Sequence, residues 1–545
     1  MVASSDEDGM RVLVVGLDAG CRPVLEPLFE SGVTPTLRRV FEMGTSGPLD
    51  SQIPPWTASA WPSLYTGKNP GKHGVYDFLS FDGYDWDVVN ASHVRARPVW
   101  ELLDEHGYSS VVVNVPVTHP PGEFDGALIP GMTAPEDPPC HPPGILEDVK
   151  LACNGYRLYP QSGDEPARSI EAYERTIECR GRAFRYLCRR MDPDFGFLQF
   201  QQTDSVFHER PGDREAIEAV YGAVDDELER TLEAVDPETI LVVSDHGIGP
   251  VSGPEFRVNQ FLRERGDVAV RSGGEGMPNW TASWESDLLD GEDAGSSDGS
   301  PVQTAMQLAA RVGITTQRVA GVLDRVGLKE PIGRRVPNAL VRAASEQVDF
   351  PDSRAYVRSK SELGVRINLE GREPDGVVPP EEYDSVREEV IEALSGVTTT
   401  DGEPMFEAVE PRETCFEGPH LEAAPDVVTV PREFDTAISA SLGEELFVEP
   451  MESWNHKPVG VVAAAGAGID EGESVSSPER RASIFDVAPT ICSLFDVPID
   501  AAMDGEPLSV VEGTSAVEYP SYEVEPVTAT DDGVVEDRLS DLGYL

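Results

Sequence analysis

Apolar and polar positions along the chain follow two alternating periods. Short runs of consecutive apolar residues, Arg11-Val-Leu-Val-Val-Gly-Leu17 first among them, have the length and β-branched content of strands buried on both faces. Similar runs near 109–115, 195–201 and 239–244 are separated by stretches of helical spacing near 97–106, 168–191 and 213–235. Helices are also predicted over 23–31 and 35–44, the second opened by Pro35 and closed by Gly44. Strands alternating with helices of this length predict an α/β fold: a doubly wound, mostly parallel central sheet with helices on both faces.

Two regions break the rhythm. Residues 116–145 are rich in proline and read as a loop. Residues 271–300 are dominated by Gly, Ser, Asp and Glu and read as flexible, followed by amphipathic helices near 302–312 and 315–327. The expected division is a first part of the catalytic core over 1–264 and a cap-like insertion over 265–345. A second part of the core over 346–515 and an acidic tail over 516–545 follow. In that second part, strands are expected around Arg354–Arg358, Gly364–Leu369 and Asp426–Val430, a helix near 380–395, and an apolar strand just after His456.

The stretch from Ile53 to Gly74 carries the first chemical signal. Pro54 and Pro55 keep the chain extended, and from Thr57 the residue types suit a short helix ending at Gly67. That places a hydroxyl at a helix start, where free N–H groups and the dipole favour an anion. Taken alone, Thr57 reads better as a plain helix cap. Gly67-Lys68-Asn-Pro-Gly71-Lys72-His73 superficially resembles a phosphate-binding loop, but three residues separate its glycines instead of four and His73 stands where a Ser or Thr holds magnesium. It reads as a turn-rich connector.

Charge narrows the setting. There are 98 acidic against 43 basic residues, a formal net charge of −55, so nucleic-acid polymers and anionic membranes are repelled. The charge is spread along the chain, which fits adaptation to high salt better than a cation-binding block. Seven cysteines without regular spacing indicate neither a disulfide framework nor a cysteine-rich metal site. With no apolar leader and no run of 18 uncharged apolar residues, a cytoplasmic protein without a membrane span is expected.

Several polar residues follow the core strands or the Thr57 turn: Asp18, Asp204, His208, Asp245, His246 and His456. Carboxylates and imidazoles together are a donor set for zinc or a similar divalent ion, and Asp-x-x-x-His spacing lets one helical turn aim both side chains at one ion. Each residue alone has an ordinary explanation as a cap or a hydrogen-bonded core group. Their common placement at strand ends is what carries the reading.

These motifs resemble the alkaline phosphatase superfamily, in its branch of type I phosphodiesterases and nucleotide pyrophosphatases. The resemblance rests on Val-Val-Gly-Leu-Asp18, Thr57 nine residues before Thr66-Gly67, and Asn69-Pro-Gly-Lys-His73-Gly. It continues through Asp204-x-x-x-His208, Ser-Asp245-His246-Gly and Asn-His456-Lys. Ile367-Asn-Leu-Glu-Gly-Arg-Glu-Pro, Asp486-Val-Ala-Pro-Thr and the closing Leu-Ser-Asp-Leu-Gly-Tyr-Leu are similar to prokaryotic members. The resemblance implies two divalent ions, zinc or else manganese. One would be held by Asp204, His208 and His456, the other by Asp18, Asp245, His246 and the Thr57 oxygen. It further implies hydrolysis of phosphodiester or pyrophosphate bonds in a small-molecule phosphate ester through a phosphothreonine at Thr57. Eukaryotic members carry an asparagine three residues after the nucleophile, where this chain has Ala60. Ser59 is the rival nucleophile, but the spacing to Thr66-Gly67 favours Thr57. Phosphomonoesterase or phospho-group transferase activity on the same core, or a non-catalytic metal-binding role, are the alternatives.

Overall fold

The computed structural model describes residues 9–160, 169–272, 346–470, 474–477, 480–524 and 535. The expected cap helices at 302–312 and 315–327, most of 271–300 and most of the tail beyond 524 lie outside the described residues.

Seven strands form the central sheet: β1 Val12–Leu17, β2 Thr45–Asp50, β3 Ser110–Val113, β4 Gly126–Ile129, β5 Phe195–Phe200, β6 Thr239–Val243 and β7 Val459–Gly466. Their order across the sheet is β2-β7-β6-β1-β5-β3-β4. All run parallel except β7, which is antiparallel to both β2 and β6. Alternation along β1 separates two apolar layers. Val12 and Val14 pack with Trp61 and Leu64 on one face, and Leu13, Val15 and Leu17 pack with Leu25 and Phe184 on the other.

Helices cover both faces. The second layer holds α1 Arg22–Ser31, α2 Pro35–Met43, α4 Ile170–Met191 and α6 Arg214–Val235, and the first holds α3 Thr57–Thr66 and α7 Val487–Leu494. Their ends follow the expected chemistry. Proline occupies the first turn of α1 and α2, Ser169 and Asp213 accept backbone N–H bonds at the starts of α4 and α6, and Gly67 closes α3 in the left-handed region at φ 69°.

Two strands of the central sheet escape a periodicity reading, and both are its edges. β2, Thr-Ser-Gly-Pro-Leu-Asp, contains Gly47 and Pro48, which a strand tolerates when only one side is paired. β4 lies inside the proline-rich 116–145, corrected here from a loop to a loop with a four-residue edge strand.

The chain between β6 and β7 builds a smaller unit. Ala355–Tyr356, Gly364–Ile367, Val427–Pro431 and Phe406–Pro411 form an antiparallel sheet in that order. Helix Tyr383–Ser395 lends Val390 and Leu394 to an apolar core that includes Phe256, Val365, Phe406 and Val427. Asp426 pins it. Its carboxylate takes 2.7 Å bonds from Arg372, Tyr383 and the Ile367 N–H, and although burial pushes its pKa up, Arg372 and Arg366 hold it down at about 2. The Ile367–Pro374 motif is thus the turn that delivers Arg372 to a buried acid.

Candidate active site

In open α/β sheets ligands gather at the carboxyl ends of the strands. β6, β1 and β5 are neighbours in the sheet, and each ends in one or more of the expected residues. Asp18 follows β1. Asp204 and His208 sit on helix α5, Gln202–Glu209, after β5. Asp245 and His246 follow β6. His456 arrives on a separate ribbon, where Trp454–Lys457 pairs antiparallel with Gly247–Pro250 and His456 stands opposite Ile248. This register lays the His456 ring on that of His246, with centroids 3.7 Å apart and planes 19° apart.

The structure brings all seven side chains together, each buried or nearly so. Asp204 Oδ1 lies 3.2 Å from His208 Nε2 and 3.5 Å from His456 Nε2, and the two imidazole nitrogens are 3.1 Å apart. His246 Nε2 lies 3.2 Å from Asp245 Oδ2, 3.6 Å from Asp18 Oδ1 and 3.2 Å from Thr57 Oγ1. Thr57 Oγ1 is also 3.4 Å from Asp18 Oδ1.

Thr57 is not the helix cap. The cap position of α3 is Trp56, and Thr57 is the first helical residue with its hydroxyl turned into the cluster. Ser59 points elsewhere, donating to the Val75 carbonyl at 2.8 Å and accepting from Gln52. Ala60 is fully buried in the apolar layer beside Trp61 and Leu64, so its position supplies no donor.

The donor set fits divalent cations. His456 Nδ1 donates to the Pro55 carbonyl and His246 Nδ1 to the Gly247 carbonyl, each at 2.9 Å, which leaves both Nε2 lone pairs facing the cluster. Two groups, Asp204–His208–His456 and Asp18–Asp204–His246, have ligand atoms all within 4.8 Å of one another. Asp245 Oδ2 is buried without a hydrogen bond among the described residues. Burial first, then the charges of Asp245 and Asp204, push the Asp18 pKa well up, and burial with the Asp204 charge raises Asp245 to about 6 despite His246. For Asp204, burial acts upward but His208 and His456 outweigh it and hold the carboxyl low. His208 is raised to about 10 against its own burial by Asp204 and Glu452. Three buried acids lie close enough to repel one another, and a divalent cation would offset that repulsion.

Several supporting residues carry no sequence signal. Asp18 Oδ2 accepts from Gln199 Nε2 at 2.7 Å and Trp61 Nε1 at 3.2 Å, and Asn114 donates in turn to Gln199. Glu452 Oε2 faces His208 Nδ1 at 3.6 Å while its other oxygen holds Lys360 at 3.0 Å. The Lys-rich connector has a structural part: Lys68 pairs with Asp500, Lys72 and Asn69 bind Asp504, and His73 is bonded to Ser63.

This fold has counterparts among solved structures. Phosphonoacetate hydrolase from Sinorhizobium meliloti 1021, in complex with phosphonoformate, is similar over 88% of this chain and 94% of its own, at 17% identity and a TM-score of 0.53. Wild-type alkaline phosphatase PafA is similar over 94% and 100%, at 14% identity and a TM-score of 0.53. Murine ectonucleotide pyrophosphatase/phosphodiesterase 5, an inactive form in complex with AMP, follows at 13% identity over 93% and 97%, with a TM-score of 0.48. No curated protein matches in sequence. The fold is therefore of the alkaline phosphatase class.

Within that class the match is more definite. The family model for type I phosphodiesterase / nucleotide pyrophosphatase matches residues 12–313, and the chain belongs to that family of phosphoester hydrolases. The match spans Asp18, Thr57, Asp204, His208, Asp245 and His246. No helix among the described residues is long and apolar enough to cross a membrane.

Proposed function

We propose that this protein is a metal-dependent hydrolase of phosphate esters that works through a phosphothreonine at Thr57. The observation that carries the reading is the Thr57 hydroxyl at the head of α3, 3.4 Å from Asp18 and 3.2 Å from His246. Asp204, His208 and His456 would hold one divalent cation, zinc or manganese, and Asp18, Asp245, His246 and the Thr57 oxygen a second. Bound cations supply the charge that lowers the hydroxyl pKa and neutralises phosphoryl oxygens.

The chain's own groups do the remainder. Gln199 and Trp61 fix Asp18 through its outer oxygen and leave Oδ1 facing Thr57. Among the described residues, no backbone bond uses the Thr57 and Ala58 N–H groups at the helix start, and these can receive a phosphoryl oxygen in place of the donor that Ala60 lacks. The Thr57 hydroxyl loses its proton to solvent, the Oγ1–P bond forms, and the bond from phosphorus to the leaving oxygen breaks with its electron pair on that oxygen, which then takes a proton from solvent. Water then attacks phosphorus, the Oγ1–P bond breaks, and the threonine hydroxyl is restored.

Thr57→Ala removes the acceptor oxygen and little else. Turnover of bis(p-nitrophenyl) phosphate is expected to fall by on the order of a thousandfold or more, with bound metal retained by elemental analysis. Acid quenching of the wild type during turnover should leave phosphate on Thr57 by mass spectrometry. Unchanged turnover in the variant rejects the mechanism.

A further inference from the structure

The three histidines of the cluster are not backed alike. Nδ1 of His246 and Nδ1 of His456 each meet a backbone carbonyl at 2.9 Å, a neutral dipole supplied by Gly247 and by Pro55. His208 differs. Its Nδ1 faces Glu452 Oε2 at 3.6 Å, a charge contact longer than a hydrogen bond. The other oxygen, Glu452 Oε1, holds Lys360 Nζ at 3.0 Å. Glu452 lies on the segment that leads into the His456 strand, and Lys360 belongs to the smaller unit, between Ala355–Tyr356 and Gly364–Ile367. A run of charges therefore joins the smaller unit to one imidazole of the cluster.

We propose that Glu452 is a positioning residue for the ion held by Asp204, His208 and His456, and that Lys360 sets the strength of its effect. The proposal rests on the metal-dependent reading above. In that group Asp204 is the one carboxylate beside two imidazoles, whereas Asp18 and Asp245 give the other ion two. Glu452 adds the missing negative charge from behind His208. A carboxylate opposite Nδ1 keeps the ring proton there and leaves the lone pair on Nε2, the atom 3.2 Å from Asp204 Oδ1 and 3.1 Å from His456 Nε2. It also makes that nitrogen a better donor. Lys360 works against this: it draws on the same carboxylate and presents a like charge to an arriving cation. Glu452 and Lys360 therefore push the affinity for this ion in opposite directions.

The test is a calorimetric titration of the metal-free protein with zinc. One pH and one ionic strength are used throughout, since Lys360 and Glu452 are 22% and 20% exposed and salt screens them. His456→Ala removes a ligand from this ion alone and marks its step in the isotherm. Glu452→Gln keeps the shape without the charge; it is expected to weaken that step by at least about tenfold and leave the other within about twofold. Lys360→Gln is expected to tighten the same step by about threefold or more. Opposite signs are the signature of charge acting through His208, because damage to the fold would weaken the ion in both variants. Two ions bound by the wild type, with a step unmoved by either substitution or weakened by Lys360→Gln, overturn the proposal and leave the hydrolase reading intact. Should Glu452→Gln prove unfolded by circular dichroism, Lys360→Gln alone decides. A wild type that binds neither zinc nor manganese and turns over no bis(p-nitrophenyl) phosphate overturns both.

Discussion

Gly16 in β1 has no room for a side chain, because a methyl there would come within 2.6 Å of Trp61 Cη2. The close approach is functional as well as structural, since that indole donates to Asp18. Gly16→Ala should cost about 1–3 kcal/mol of stability through overpacking, measured by chemical denaturation, and should weaken divalent-ion binding by displacing the Asp18 partner, measured by calorimetric titration. Equal ion affinity in the two proteins would show that Trp61 does not position Asp18. At this scale the six acids and histidines of the cluster were legible because such groups at strand ends are costly to bury without a purpose. Gln199, Trp61, Glu452 and Lys360 were not, because they are ordinary residue types whose role depends on which strand lies next to which. Spacing to Thr66-Gly67 favoured Thr57 over Ser59, and the fold gives the reason they differ: a helix start turns two hydroxyls two residues apart in different directions.

The stretch following the Ala516–Val517 strand runs past helix Val99–Glu105. Tyr519 bonds to the Pro498 carbonyl at 2.9 Å, Tyr522 donates to Glu101 at 3.2 Å, and the Arg97 guanidinium lies 5.5 Å from the Tyr522 ring centre. Burial raises the Glu101 pKa to about 7, with Tyr522 and Arg97 opposing it only partly. Because the folded value lies above the ordinary carboxylate value, the fold binds this proton more tightly than the unfolded chain does. The benefit is complete below about pH 4.5 and is lost as pH rises through 7, amounting to roughly 3 kcal/mol over that span. Glu101→Gln should therefore raise the thermal midpoint at pH 8 relative to wild type and narrow the difference at pH 5; parallel curves at both pH values would contradict this. Among elements, the helices and buried strands were readable from period and caps, which act within a few residues. β2 and β4 were not: an edge strand needs only one partner, so glycine and proline can occupy it and its alternation is faint. Three of the smaller sheet's four strands were seen, without a pairing, since register is fixed by contacts distant in sequence; Phe406–Pro411 was not.

Across the molecule, the net charge of −55 sets how folding responds to ions. Self-repulsion of this size is screened within about 3 Å at 1 M salt, so the thermal midpoint should rise by at least roughly 10 °C between about 0.1 M and 2 M KCl. A midpoint independent of salt would remove the proposed adaptation to brine. The ribbon pairing Gly247–Pro250 with Trp454–Lys457 has an effect in time as well as in space. His246 is made early and His456 only after the whole smaller unit has been synthesised, so no nascent chain shorter than 456 residues can stack the two imidazoles. A polypeptide ended before residue 456 therefore cannot assemble the Asp204–His208–His456 group.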